Sequence, residues 1–274
     1  MSTRYLLMTE INEMNPYKVL ARKYRPETFK DLVGQAAMVQ TLQNAFEADR
    51  IAQAFILTGI RGTGKTTTAR IIAKGLNCIG LDQNGGPTIE PCGKCSNCTA
   101  IIKGNHVDVI EMDAASRTGV DDIREIIESI YYKASSGRFK VYIIDEVHML
   151  SKQAFNGLLK TLEEPPPSLK FILATTEVRK IPVTILSRCQ RFDLRRIDKK
   201  TLFSFLEEIA KKEKISISKE AINLIVRASD GSVRDSLSIL DQSNIFKSQD
   251  EIQAEEIINM LGFARQSDLY NLSK

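Results

Sequence analysis

Ala54-Phe-Ile-Leu-Thr-Gly-Ile-Arg-Gly-Thr-Gly-Lys-Thr66 decides the fold. Its first five residues form an apolar run of strand length. Gly59 to Thr66 fits G-x-x-x-x-G-K-[ST] in full, and residues 66–76 carry apolar side chains at helical spacing. Strand, glycine-rich loop, helix is the order in which such a loop has a mechanism. Glycines let the main chain wrap closely around an anion, successive amide N–H groups and the positive helix end attract it, and a lysine adds a full charge.

Reading outward, further strands are predicted at 107–112, 139–144 and 170–175. Between them lie helical patterns at 119–134, with Val120, Ile123, Ile126, Ile127 and Ile130 in register, and at 151–162, stopped by Pro165-Pro166-Pro167. Strands alternating with helices imply βαβ units, hence an α/β domain over residues 17–195 with a central parallel sheet. From Asp198 only helices follow, at 198–212, 218–228 and 232–244, broken at Ile215-Ser216 and Asp230-Gly231. They form a small second domain over 196–250, with 251–274 as its end or the start of another.

The 274 residues are 43% hydrophobic and 26% charged, enough for a sizeable core. No apolar run reaches 18 residues and no signal-peptide pattern opens the chain, so the expected compartment is the cytoplasm and no membrane partner is expected. A net charge of +4 permits nucleic-acid contact without requiring it.

Gly59, Gly62, Thr63, Gly64, Lys65, Thr66 and Thr67 make up the phosphate-binding set, with Lys65 facing the β and γ phosphates of ATP and Thr66 a ligand to Mg²⁺. The strand at 139–144 delivers Asp145 and Glu146 to the carboxyl edge of the sheet. There Asp145 suits the metal and Glu146 an attacking water. Capping or solvated acids are commoner at strand ends, but the phosphate loop upstream tips the balance. His148 reads as a local hydrogen-bonding residue. At the end of the fourth strand Thr175-Thr176 suits a hydroxyl that senses the γ phosphate, against the alternative, commoner for such a pair alone, of surface-capping threonines. Arg188 suits an arginine finger for a neighbouring subunit, against the alternative of pairing with an acid such as Asp193. Arg234 suits a contact from the lid, against an intrahelical pair one turn away. Cys78, Cys92, Cys95 and Cys98 offer four thiolates in a Gly- and Pro-containing loop, the donor set of a closed structural Zn²⁺ site; an iron–sulfur cluster uses the same set. Cys189 reads as a small apolar packing residue.

These pieces, with Val19-Leu-Ala-Arg-Lys-Tyr-Arg-Pro26, Asp113-Ala-Ala-Ser-Arg-Thr118, Asp145-Glu-Val-His148, Leu158-Leu-Lys-Thr-Leu-Glu-Glu-Pro-Pro166, Ala174-Thr-Thr176, Ser187-Arg-Cys189 and Gly231-Ser-Val-Arg-Asp235, resemble the γ/τ family of bacterial DNA polymerase III clamp-loader subunits, a branch of the AAA+ ATPases. The match spans residues 17–245. It implies an AAA+ P-loop NTPase with a four-cysteine zinc-binding insertion and a helical lid, acting as a DNA-dependent ATPase. In such complexes ATP binding opens a sliding clamp and grips primer-template DNA, and hydrolysis releases the closed clamp; the chain itself is not expected to polymerise. Implied partners are delta- and delta-prime-like subunits, copies of itself, the clamp and the DNA. The resemblance places Ala21, Arg25 and Val33 beside the adenine, Thr176 as first sensor, Arg188 as finger in trans, Arg234 as second sensor, and Ser116, Arg117 and Thr118 toward the DNA. The family pattern begins after Asn15, so Met14 is the expected start and 1–16 an expected disordered leader. The family's oligomerising collar lies beyond the lid, near where this chain stops. The competing reading from another class is a DNA or RNA helicase, which shares the phosphate loop and an Asp-Glu-x-His segment but couples two RecA-like halves. A third is a zinc-stapled binding module with a vestigial nucleotide site, which the intact Lys65, Thr66, Asp145 and Glu146 argue against.

Overall fold

A computed structural model describes residues 17–116, 129–130, 132–246 and 250–262. The helix predicted at 119–134 lies largely outside them, as do Arg117, Thr118 and the leader. Among the described residues five strands form one parallel sheet in the order β2-β3-β4-β1-β5, where β1 is Ala54–Thr58, β2 Val109–Asp113, β3 Lys140–Asp145, β4 Leu169–Thr175 and β5 Gln190–Asp193. The short edge strand β5 has no counterpart in the sequence reading, because four residues with one buried phenylalanine show no periodicity.

Both faces are covered, so β1 and β4 are buried at every position. Alternate residues feed opposite cores. Ile56, Tyr142, Ile144, Phe171 and Leu173 face a cluster with α5 (Lys152–Glu163) and α6 (Val183–Leu186), whereas Phe55, Leu57, Val141, Ile143 and Ile172 face α2 (Ala36–Glu47) and α3 (Lys65–Asn77). The ladder aligns Thr58 with Thr175 and Asp193, and Asp113 with Asp145, so polar strand ends fall in one row along the carboxyl edge. Ligands of open α/β sheets bind along that edge.

The strand predicted from 107 starts at Val109, because the Val109 N–H bonds back to the His106 carbonyl at 3.2 Å and closes a turn over 107–108, where Asp108 takes a second task. Its carboxylate accepts the N–H groups of Ser135, Ser136 and Gly137 at 2.8, 2.7 and 2.7 Å, which outweigh the opposing effect of burial and hold it below the usual carboxylate range. That clamp sets the loop leading into β3. Asn77 does the same from α3, bonding both the N–H and the C=O of Phe139. Cys189 packs against the core, and burial pushes its thiol up to about 11.

The lid contains α7 (Lys199–Lys212), α8 (Lys219–Ala228) and α9 (Val233–Phe246) around Leu202, Leu206, Ile225 and Leu237. Asp198 and Ser218 cap α7 and α8 through the N–H groups of Thr201 and Ala221. Ile252 and Ile257 are buried in the same cluster, so α10 (Ala254–Leu261) packs against these helices. The short helix α1 (Leu20–Lys23) joins the lid from the other end of the sequence.

Candidate functional site

The loop between β1 and α3 depends on backbone torsions that only glycine takes without strain. Gly59, Gly62 and Gly64 have φ of 146°, 79° and 94°. Thr63 donates to the Ile60 carbonyl at 2.9 Å, closing the turn. Lys65, only 6% exposed, opens α3 and points back over the loop, where Nζ donates to the carbonyls of Gly59 at 3.0 Å and Ile60 at 2.9 Å. Burial pushes this ammonium down, and the charges of Glu146 and Asp145 pull it back up.

Thr66 donates to Asp145 Oδ2, so hydroxyl and carboxylate lie side by side as two hard oxygen donors. The other Asp145 oxygen accepts the Glu146 N–H at 2.9 Å. Glu146 sits in the left-handed region at φ 45° and ψ 43°, an uncommon place for a residue with a Cβ, and strain of this kind concentrates at functional sites. The turn aims its carboxylate at β4, where Oε2 accepts the Thr176 hydroxyl at 2.9 Å and the Thr176 N–H at 3.1 Å. His148 is 6% exposed at the side chain and lies 3.0 Å from Thr175 Oγ1 and 3.3 Å from both Glu146 and Glu177. It is a local hydrogen-bonding residue.

The lid meets the loop directly. A Cβ at Gly62 would fall 1.9 Å from Ser232 Oγ, and Ser232 is buried while accepting the Asp235 N–H at the start of α9. Gly62→Ala is therefore expected to lower stability by about 2 kcal/mol, read as a drop in melting temperature of about 5 °C by calorimetry. An unchanged transition would mean that lid and loop do not touch in solution. Arg234 follows Ser232, is exposed, and has no ion-pair partner among the described residues. The intrahelical pair considered for it is thus absent among the described residues.

The remaining candidates scatter in an informative way. Arg25 donates to Thr67 Oγ1 at 3.1 Å, while Ala21 and Val33 pack against the lid core. Ser116 is exposed and donates to the Asp113 carbonyl. Arg188 is exposed, bonded at 2.7 Å to both Glu163 Oε1 and the Thr184 carbonyl; Asp193 is paired with Arg191 instead. Sequence reasoning singled out neither Glu163 nor the Ser232–Gly62 seam. The first lay inside the quoted Leu158–Pro166 motif, but its partner is 25 residues away; the second needs the lid's placement.

Cys78, Cys92, Cys95 and Cys98 come together with all four sulfurs within 4.8 Å of one another, a group able to hold a metal ion. Main-chain N–H groups point at them, from Cys92 to Cys78 Sγ at 3.3 Å, Cys95 to Cys92 at 3.3 Å and Cys98 to Cys95 at 3.4 Å. Burial opposes ionisation of Cys92, but hydrogen bonds bring it down to about 7; burial pushes Cys98 up. Helix α4 (Ser96–Lys103) starts from this cluster, and Asn97 ties it to the Asn77 carbonyl at the end of α3.

A parallel sheet of this order, a complete phosphate loop, acids at the end of β3 and a helical lid on the loop define an AAA+ P-loop ATPase, whose fold implies nucleotide and Mg²⁺. The Thermotoga maritima RuvB Holliday junction branch migration motor shares that fold with a TM-score of 0.62 over 87% of this chain and 72% of its own, at 19% identity. A family model described as DNA polymerase III, delta subunit matches residues 34–198, and one for the ATPase lid domain of the DNA polymerase III clamp loader subunit matches 202–248. The chain is 50% identical over 246 residues to the Haemophilus influenzae DNA polymerase III subunit tau/gamma, covering 90% of this chain and 35% of that one. It is 48% identical to the DNA polymerase III subunit gamma of Buchnera aphidicola subsp. Schizaphis graminum, covering 94% and 69%. The chain belongs to the γ/τ family of DNA polymerase III clamp-loader subunits. It spans about a third of the length of the Haemophilus and Escherichia coli relatives. One sheet with a lid, in this family, disfavours the two-halved helicase. No described helix is long and apolar enough to cross a membrane.

Proposed function

We propose that this chain is an ATP-hydrolysing subunit of a bacterial clamp loader, coupling nucleotide binding to placement of a sliding clamp on primed DNA. The observation that carries the reading is the pairing of Glu146 with Thr176, beside Thr66 and Asp145, within a member of this family. In this reading the loop amides from Gly59 to Lys65 hold the phosphates, and Lys65 Nζ turns from the Gly59 and Ile60 carbonyls to the β and γ oxygens. Thr66 and Asp145 would hold Mg²⁺, and the ion would supply positive charge to neutralise the phosphates. Glu146 accepts a proton from, or orients, the attacking water, and its bond to Thr176 ties that carboxylate to the β4 end where the γ phosphate is sensed. Arg234 reaches the site from the lid, Arg188 acts on a neighbour's nucleotide, and Ala21, Arg25 and Val33 border the adenine side. Ser116, with Arg117 and Thr118 outside the described residues, faces DNA. The units are 17–195 and a lid from 196, with partners of delta and delta-prime type, further copies of this chain, the clamp and primer-template DNA.

The test is ATP turnover by the full-length protein assembled with its partner subunits, with and without clamp and primed DNA. Stimulation by the two together supports the reading; turnover indifferent to both rejects it.

For the cysteine cluster we propose Zn²⁺. A single ion with Zn–S bonds of about 2.3 Å sets its sulfurs about 3.8 Å apart, within the observed spacing, whereas a cluster interposes iron and sulfide and spreads them. Elemental analysis is expected to give about one zinc per chain, and a chelator strong enough to remove it should lower the melting temperature by several degrees. Less than half an equivalent would overturn the assignment.

A further inference from the structure

Residues 17–24 precede the sheet in sequence yet belong to the lid by contact. Leu20 is buried among the lid's apolar residues, and Ala21 and Tyr24 pack beside it. Tyr17 donates its hydroxyl to Asp241 on α9. At the end of α7, one carboxylate, Glu213, receives two donors from consecutive residues of this strap: the Tyr24 hydroxyl, and Lys23 Nζ at 2.7 Å from Oε1 and 2.8 Å from Oε2. Held by Leu20 and by polar contacts at Tyr17, Lys23 and Tyr24, the strap must travel with the lid.

Arg25 then leaves the lid. Its Nε donates to Thr67 Oγ1 at 3.1 Å, in the first turn of the phosphate-loop helix. There the side chain stays exposed, but partial desolvation and the like charges of Arg70, Arg234 and Arg22 act against its charge, and Glu111 opposes them. Glu111 is already engaged by Arg70 in a bidentate pair at 2.6 and 2.8 Å. A guanidinium with so little acid around it is relieved by an incoming polyanion. The strap thus joins an anion-seeking group on the phosphate-loop helix to a carboxylate at the end of α7.

We infer that Glu213 is a positioning residue for nucleotide binding: it fastens the strap to the lid, so that lid position decides whether Arg25 stands on the phosphate-loop helix. This rests on the nucleotide reading of the loop. Arg25 supplies the contact, and Glu213 acts only through it.

The prediction is a specific pattern in titrations of Mg²⁺ and ATPγS into the full-length chain. Glu213→Ala weakens binding about fivefold, the low end of coupling between linked sites. Arg25→Ala weakens it about tenfold, and the double variant is no worse than Arg25→Ala. Tyr24→Phe, which removes one donor and keeps the packing, shifts affinity in the same direction as Glu213→Ala and stands in for it should that variant fold poorly. Hydrogen exchange gives an independent readout: ATPγS slows exchange of residues 20–25 in the wild type and no longer does so in Glu213→Ala. A residue serving only lid stability would lower the melting temperature and leave affinity unchanged, whereas one acting on the site independently of Arg25 would have its loss multiply with that of Arg25 to about fiftyfold. That multiplication, or unchanged affinity in Glu213→Ala, overturns the inference while the wild type still binds. A wild type that fails to bind ATPγS overturns the nucleotide reading itself.

Discussion

Lys65→Ala is expected to weaken ATP binding by at least about thirtyfold while leaving the fold intact. The side chain is 6% exposed, and its ammonium lies within the influence of Asp145 and Glu146. A polyphosphate arriving beside two carboxylates meets like charge, and Lys65 is the cation that opens α3 between them. Truncating one member of a buried charge pair costs about 2–5 kcal/mol, which corresponds to a loss of thirtyfold to several thousandfold in affinity. The folded protein loses less. Among the described residues Nζ donates only to the carbonyls of Gly59 and Ile60, which lie in a loop open to water at Ile60 and Arg61. Calorimetric titration of the variant, with circular dichroism as a fold control, makes the check. Affinity within threefold of wild type would remove the loop from the nucleotide site.

The phosphate loop and the parallel sheet were legible because their signals are local. Ala54 to Thr66 combines an apolar run, glycines and a lysine within one turn of chain, and the alternation of β1, β3 and β4 with helices follows from uninterrupted apolar stretches bounded by turn residues. The four cysteines were legible for the same reason: three of them sit at Cys-x-x-Cys spacing, and the fourth precedes the loop that brings it back. What escaped depends on partners far apart in sequence. Asp108 looks like a strand residue until residues 135–137 are seen folded onto its carboxylate. Arg25 was assigned to the adenine side by resemblance, and its bond to Thr67 spans 42 positions. Tyr17 finds Asp241 across 224. No window on the sequence holds such pairs, since they exist only once sheet and lid have closed around the loop.

Arg188→Ala is the second large effect, and it is expected only where subunits meet. In the single chain Arg188 is exposed at the surface end of α6, paired with Glu163 and the Thr184 carbonyl. An ion pair with side chains 33% and 49% exposed contributes less than about 1 kcal/mol, so the guanidinium is easily surrendered to a stronger acceptor. A transferring phosphoryl group is such an acceptor, and supplying an arginine to it from a neighbour is worth about a thousandfold or more in turnover. Nucleotide affinity of the isolated chain should therefore be unchanged in Arg188→Ala, while ATP hydrolysis by the assembled complex, its assembly verified by sedimentation, falls about a thousandfold. Arg188→Lys retains the charge but not the planar fork and should recover only a small part of the rate. Glu163→Ala discriminates further. If Glu163 merely holds the finger between encounters, its loss leaves the assembled rate within a few fold of wild type, because the pair it breaks is weak. Turnover unaffected by Arg188→Ala in the verified complex would reject the trans role and confine Arg188 to capping α6.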